Sequence, residues 1–261
     1  GHGSIFEDFV SSAPHAQNAL DIFGGEWVSK LPQGAEGISG GTSHLFEDGR
    51  ITWFLEQIGS IEGKNILELG PLEGGHTYML ANQRAASITA IESNPRAYLK
   101  CLIIKEMFGL QQANFLCGDF VKYLESNPPR FHMCLASGVL YHMTDPVQLI
   151  GLLAHVADHL CLWTHYYDET IIAQKPHLAA QFTEQEALEV SGFRHTVFRR
   201  VYPQRILNWT RFHGGSAPYA CWLSREDILN CLSHFGYRDI QIGIEEPDHQ
   251  HGPSFAVTAS R

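Results

Sequence analysis

Residues 65–77 read Asn-Ile-Leu-Glu-Leu-Gly-Pro-Leu-Glu-Gly-Gly-His-Thr. The opening five form a short apolar run of the kind that becomes a strand buried on both faces. Gly70 ends that run, and a helical pattern resumes after Gly75. Between the two lies a tight loop of nearly bare backbone, in which Pro71 and Gly74 also fall. Glycine is required where φ is positive or where a Cβ would keep a ligand away from the main chain. After the first strand of a doubly wound sheet, such a loop lets a ligand reach backbone amides near a helix N-terminus.

Further apolar runs follow at 88–93, 114–119, 131–139 and 160–166, separated by helix-like segments at about 74–86, 95–109, 120–126 and 145–159. Continuous apolar strands alternating with helices imply a parallel sheet covered on both faces. A nucleoside held by the glycine loop also needs an acid for its ribose hydroxyls, about 20 residues further on. Glu92, followed by Ser93, ends the second run, and Asp119 with Phe120 ends the third. Successive strand ends thus bring Glu68, Gly70, Glu92 and Asp119 to one sheet edge.

These residues carry a resemblance. "ILELGPLEGG" resembles the first motif of class I S-adenosylmethionine-dependent methyltransferases, with Glu68, Gly70 and Gly74 on its E-x-G-x-x-x-G positions. "AIESN" resembles the family's ribose motif, "CGDF" its adenine-side motif, and "LASGVLYHMTDP", with Ser137 and Gly138, its fourth-strand motif. The resemblance covers roughly 60–162 and 224–261. It implies a Rossmann-like, doubly wound seven-stranded sheet whose last strand is antiparallel, and S-adenosyl-L-methionine as cofactor. Leu72 stands where many members carry a middle glycine, which implies a stiffer loop. An NAD-binding Rossmann domain is the rival at fold level. It would require that middle glycine and would not end in a strand–turn–strand hairpin.

Around this core, residues 1–60 read as a helical prefix, with helical spacing in 5–10, 15–23 and 48–59 and Asp48 as an N-cap. It is expected to cover the cofactor as a lid or to serve as a dimer element. Residues 61–261 are then the methyltransferase domain. Within them, 167–222 breaks the alternation just before the last helix and is expected to cover the substrate. It contains an expected helix at "TEQEALEVSG", where Thr183 and Glu186 make a capping box. It also holds a run of five arginines: Arg194, Arg199, Arg200, Arg205 and Arg211.

The chain has 261 residues and 44% apolar content, ordinary for a globular α/β protein. Lys and Arg number 18 against 28 Asp and Glu, a net charge of −10. That balance disfavours a polynucleotide gripped through many phosphates. No apolar run approaches the roughly 18–20 residues that a membrane span needs. Six scattered cysteines without C-x-x-C spacing read as reduced thiols and no zinc site, favouring a cytoplasmic location. His155 and His159, four apart in the 145–159 segment, read as a solvated helix face rather than a metal site.

Methyl transfer from a sulfonium is an in-line displacement, and an oxygen or nitrogen acceptor gains from a base that titrates near neutrality. Ligands bind at the carboxyl ends of parallel strands. That selects His142 after the fourth strand and His165 at the end of the fifth as candidate bases. Tyr166, Arg199, Arg200 and His249 are candidate substrate contacts, the arginines for an anionic group. The leading reading is a methyltransferase acting on a small molecule, with oxygen, nitrogen and carbon acceptors not separated. Alternatives are a tRNA carboxymethyl or methyl transferase, since "GVLYH" also resembles a motif of that group, and a non-catalytic S-adenosylmethionine-binding protein.

Overall fold

Strand β1 (Asn65–Leu69) has four of its five residues buried, as expected of a strand with neighbours on both edges and layers on both faces. A computed structural model describes residues 8–35, 37–203 and 217–261. β1 pairs in parallel with β2 (Ser87–Glu92) on one side and β4 (Phe131–Ser137) on the other. β3 (Ala113–Cys117) extends the first side and β5 (Ala157–His165) the second, both in parallel register. A separate three-stranded sheet comprises β6 (Phe182–Val190), β7 (Phe193–Val201) and β8 (Tyr219–Trp222). The chain closes with β9 (Asp239–Glu246) and β10 (Ser254–Ser260). β10 inserts antiparallel between β5 and β9, completing the order β3-β2-β1-β4-β5-β10-β9. Strand order reverses between β1 and β4, the place where open α/β sheets form a crevice.

Alternation along β1 assigns the two faces. Ile66 packs with the prefix residues Leu20, Phe23, Trp27 and Phe54, over helices α1 (Ala16–Asp21) and α2 (Gly49–Ile58). The same layer receives α3 (Gly75–Asn82) and α4 (Pro95–Phe108). Leu67 and Leu69 face the other layer. It contains α5 (Phe120–Glu125), α6 (Pro146–Val156) and, after the short α7 (Glu169–Ala173) and α8 (Pro176–Ala179), α9 (Arg225–His234). Asn94, Asp119, Asp145 and Ser224 cap α4, α5, α6 and α9 by accepting first-turn N–H bonds. Such caps contribute about 1 kcal/mol each. Asp48 caps α2 in the same way, as its sequence context predicts.

Several expectations need correction. "TEQEALEVSG" is no helix. Its residues form β6, which pairs with β7 from Phe182↔Arg200 to Val190↔Phe193 through a two-residue Ser191–Gly192 turn. Both turn residues have positive φ, 51° and 78°, the tight-hairpin geometry whose twist suits antiparallel strands. Helix-favouring Glu, Gln, Ala and Leu are overridden by this pairing, in which Arg194 reaches Glu189 and Arg199 reaches Glu184. His155 and His159 do not share a helix: the first lies on α6 and the second on β5, where its Nδ1 meets the Ser260 hydroxyl. Asp8–Val10 are exposed and non-helical, while 5–7 lie outside the described residues. Arg205 and Arg211 also lie outside them. Among the described residues no helix is long and apolar enough to cross a membrane.

Candidate cofactor and acceptor site

The carboxyl ends of β1, β2, β3 and β4 open onto one cavity of about 610 Å³, a size that suits a small ligand or cofactor. Its lower wall is the glycine loop. Gly70 takes φ +62°, and a Cβ there would stand 3.0 Å from the Val139 side chain. A Cβ on Gly75 would stand 2.7 Å from the Leu45 carbonyl oxygen, so the prefix reaches the loop only because Gly75 has no side chain. Leu72 takes φ +58°, the left-handed conformation a glycine adopts without strain. The sequence departure at Leu72 is therefore a strained residue, at a typical cost of about 1–2 kcal/mol.

Glu92 lines the same cavity at the end of β2. Its carboxylate accepts from the Leu72 N–H at 3.1 Å and the Asn94 N–H at 3.0 Å, tying the glycine loop to the start of α4. Burial raises its pKa against those backbone bonds. An ionised carboxylate offers about four lone-pair directions, so hydroxyls in the cavity still find acceptors on Glu92. Asp119, capping α5, and Phe120 stand further along the rim with Ser93, Ser137 and Gly138. Bare loop backbone, a strand-end carboxylate with lone pairs to spare and a third strand-end acid thus share one cavity, groups of the kind a nucleoside-bearing ligand needs.

Glu68 does not line the cavity. It is buried below the loop and accepts a bond from the Thr77 hydroxyl of α3. Burial pushes its pKa up to about 8, opposed by that bond and reinforced by Glu92. Gly74, at φ +85°, starts α3 and packs against Ile104 and Phe115. Both residues shape the loop from beneath.

The roof comes from the prefix and the first turn of α3. Arg50 grips Asp48 with two nitrogens, Nε at 3.0 Å and Nη2 at 2.6 Å, and His76 Nε2 meets the same carboxylate at 2.9 Å. Burial would raise the Asp48 pKa, but His76 and Arg50 hold it well below the usual carboxylate range. The Arg50 guanidinium lies 4.5 Å from the centre of the Trp163 ring. Leu45, Arg50 and His76 all line the cavity. Sequence reading missed them because their meeting spans elements far apart in the chain. The one available signal was the Asp48 cap, which places Arg50 in the first turn of α2.

Beyond the loop stand Tyr141 and His142, on the 3-10 turn Leu140–His142 after β4. His142 Nδ1 lies 2.9 Å from the Tyr202 hydroxyl, linking the wall to the end of β7. His165 sits behind Tyr141, ring centres 4.6 Å apart, and does not line the cavity. Its Nδ1–H donates to the Gly252 carbonyl at 2.8 Å, and burial lowers its pKa to about 3. His249, in the turn between β9 and β10, meets the edges of Trp163 and His165. Tyr166 points to the opposite layer, against Phe255, away from this group. Tyr167 stacks on Phe198. Among the described residues no set of His, Cys, Asp and Glu side chains could hold a metal ion.

Sheet order, the antiparallel β10 and a cleft at the β1–β4 switch are together the architecture of the class I S-adenosylmethionine-dependent methyltransferases, and the chain has that fold. Comparison with known proteins agrees. The N-terminal domain of EvdMO1, solved with S-adenosylhomocysteine bound, superposes with a TM-score of 0.71 at 22% identity, over 94% of each chain. Magnesium protoporphyrin IX methyltransferase from Synechocystis PCC 6803, also solved with S-adenosylhomocysteine, gives 0.54 at 16% identity over 82% of this chain and 81% of that one. In sequence, the chain is 27% identical over 179 residues to ribosomal RNA small subunit methyltransferase A of Bartonella henselae, matching 67% of this chain. The match spans 58% of that relative's length. No family model matches the sequence.

Proposed function

We propose that the protein is an S-adenosylmethionine-dependent methyltransferase acting on a small-molecule acceptor. The observation that carries the reading is the cavity itself, where Glu92, Asp119 and the Gly70–Gly75 loop meet Tyr141 and His142 around one space. The loop amides and Glu92 would hold the cofactor, and Asp119 with Phe120 its adenine side. Bound there, the cofactor supplies a methyl group on a sulfonium, open to in-line displacement. Tyr141, Trp163 and Leu45 wall off water, and His142, oriented by Tyr202, takes up the proton an oxygen or nitrogen acceptor loses. His165 is the weaker choice of base, because it is buried behind Tyr141 with Nδ1 committed to Gly252.

The prefix serves in this reading as a lid, and the 167–222 segment as a cover over the acceptor. An RNA acceptor is the second reading, motivated by the ribosomal RNA methyltransferase relative. A net charge of −10 weighs against it, since RNA grip rests largely on cations meeting phosphates. Isothermal titration with S-adenosylhomocysteine tests the cofactor, and a metabolite screen for S-adenosylhomocysteine release tests the acceptor. We expect binding and turnover on a small acceptor, with His142→Ala lowering kcat by about 100-fold or more, the usual worth of a positioned base. Absence of binding would sink the cofactor assignment. Methylation confined to an RNA fragment, falling steeply with salt, would replace the small acceptor with RNA.

A further inference from the structure

Arg199 and Arg200 are neighbours on β7, and strand geometry sends them to opposite faces. Arg199 lies over the Tyr219 ring at 4.5 Å and reaches Glu184 at 3.6 Å. Its charge is therefore answered. Arg200 turns to the other face. Its Nε donates to the Gln181 side-chain oxygen at 2.8 Å, and its guanidinium lies 5.4 Å from the ring centres of both Tyr202 and Trp222. No carboxylate among the described residues pairs with it. Burial lowers its pKa, with only the hydroxyls of Tyr202 and Tyr141 opposing the trend. An unanswered cation in such surroundings is costly to keep.

A second orphan lies beside it. The indole N–H of Trp222 is fully buried and has no hydrogen-bond partner among the described residues. Most buried donors in folded proteins are paired, so an unpaired one calls for an explanation. Among the described residues, the surrounding groups carry no negative charge to answer the guanidinium or the indole N–H. His165 stacks on Trp222 with ring centres 5.3 Å apart, planes 6° apart, and its Nδ1–H already donates to Gly252. Tyr141, which lines the cavity, stands edge-on to both rings, and burial pushes its hydroxyl pKa up to about 12, so it stays neutral. A guanidinium without a carboxylate partner and an indole N–H without an acceptor among the described residues, set among aromatic faces and neutral hydroxyls, complement one chemical group.

We propose that Arg200 and the Trp222 indole N–H, which stand behind Tyr141 and do not themselves line the cavity, form a subsite for an oxyanion, a carboxylate or phosphate carried by the methyl acceptor. The proposal rests on the methyltransferase reading above. It assigns the recognition of charge to one arginine of the adjacent pair, with Arg199 serving the hairpin instead. A planar guanidinium fork can meet two oxygens at once, and charge-assisted bonds of this kind are among the strongest in a protein.

The test titrates the S-adenosylhomocysteine-loaded protein with benzoate, phenyl phosphate and the neutral benzamide, followed by ligand-observed NMR. At least one anion should bind saturably, and benzamide should not. Arg200→Gln should weaken anion binding by about tenfold or more, and Trp222→Phe, which keeps the ring stack, by about threefold. Arg199→Gln should leave it unchanged. Preference for benzoate assigns a carboxylate, and preference for phenyl phosphate assigns a phosphate. Saturable binding of neither anion, equal binding of benzamide, or anion binding unchanged in a folded Arg200→Gln protein overturns the subsite. Should Arg200→Gln fail to fold, unchanged anion binding by Trp222→Phe overturns it. S-adenosylhomocysteine affinity in the same samples separates the two ideas. Intact cofactor binding without anion binding removes the subsite alone, whereas absent cofactor binding removes both.

Discussion

Glu92 has two tasks that a strand-end acid read from sequence does not reveal. Its carboxylate faces the cavity, and it also accepts the Leu72 and Asn94 N–H groups. Glu92→Ala should therefore lower S-adenosylhomocysteine affinity by roughly 1.5–3 kcal/mol, the scale of a hydrogen bond to a charged group. The empty protein should also lose about 1 kcal/mol, because two backbone donors lose their acceptor. Titration calorimetry and urea denaturation on the same variant measure the two effects. An unchanged affinity beside a lowered stability would show that Glu92 only braces the loop. At this scale the sequence was informative wherever spacing along a strand end suffices, as for Glu92 and Asp119. It was silent on Arg50 and His76, which meet at Asp48 only after α2 docks against α3.

Among elements, the prefix is joined to the glycine loop by a buried charge pair. Glu73, in the middle of the glycine loop, accepts the Val28 and Ser29 N–H groups and pairs with Lys100 of α4 at 3.1 Å. Lys100 also donates to the Glu26 carbonyl, and Glu26 pairs with Arg96. Removing one partner of a buried pair strands the other, at a typical cost of about 3–5 kcal/mol. Glu73→Ala should lose stability of that order in urea denaturation and expose the prefix to limited proteolysis. The double variant Glu73→Gln, Lys100→Met should recover part of the loss, since no charge is then stranded. If Glu73→Ala stays within about 1 kcal/mol of the parent, apolar packing of Phe23, Trp27 and Phe54 alone holds the prefix. The hairpin of β6 and β7 teaches the converse lesson. "TEQEALE" has helical propensity and exposed side chains, so no local pattern opposes a helix. Only the ladder to β7, and β7's own ladder to β8, makes it a strand.

Across the whole molecule, two buried groups pull stability in opposite directions with pH. Glu68 has its pKa raised to about 8 in the fold, so its contribution is full below its unfolded value near 4.5 and declines as pH rises toward 8. His165 has its pKa lowered to about 3, so its contribution is full above 6.5 and declines as pH falls. Between 4.5 and 6.5 the two slopes oppose, each up to about 1.4 kcal/mol per pH unit, and above 6.5 only Glu68 acts. Glu68→Gln should thus gain stability relative to the parent as pH rises from 5 to 8, whereas His165→Gln should gain as pH falls from 6.5 to 5. Denaturation curves at pH 5, 6.5 and 8 measure this, and parallel profiles for parent and variants would show that neither group titrates differently on folding. The alternating strands and helices of the core and the shared edge of their strand ends were already legible in the sequence, and the family resemblance implied the seven-stranded sheet with its antiparallel last strand. Strand–helix alternation and glycine placement are local, and parallel strands must send their carboxyl ends to one side. Tertiary structure alone decided that Leu45, Arg50 and His76 roof the cavity, that His165 sits behind Tyr141, and that Arg199 and Arg200 part company. Each of those outcomes depends on which distant surface a side chain is packed against, and burial and charge pairing across such contacts leave no periodicity in the chain.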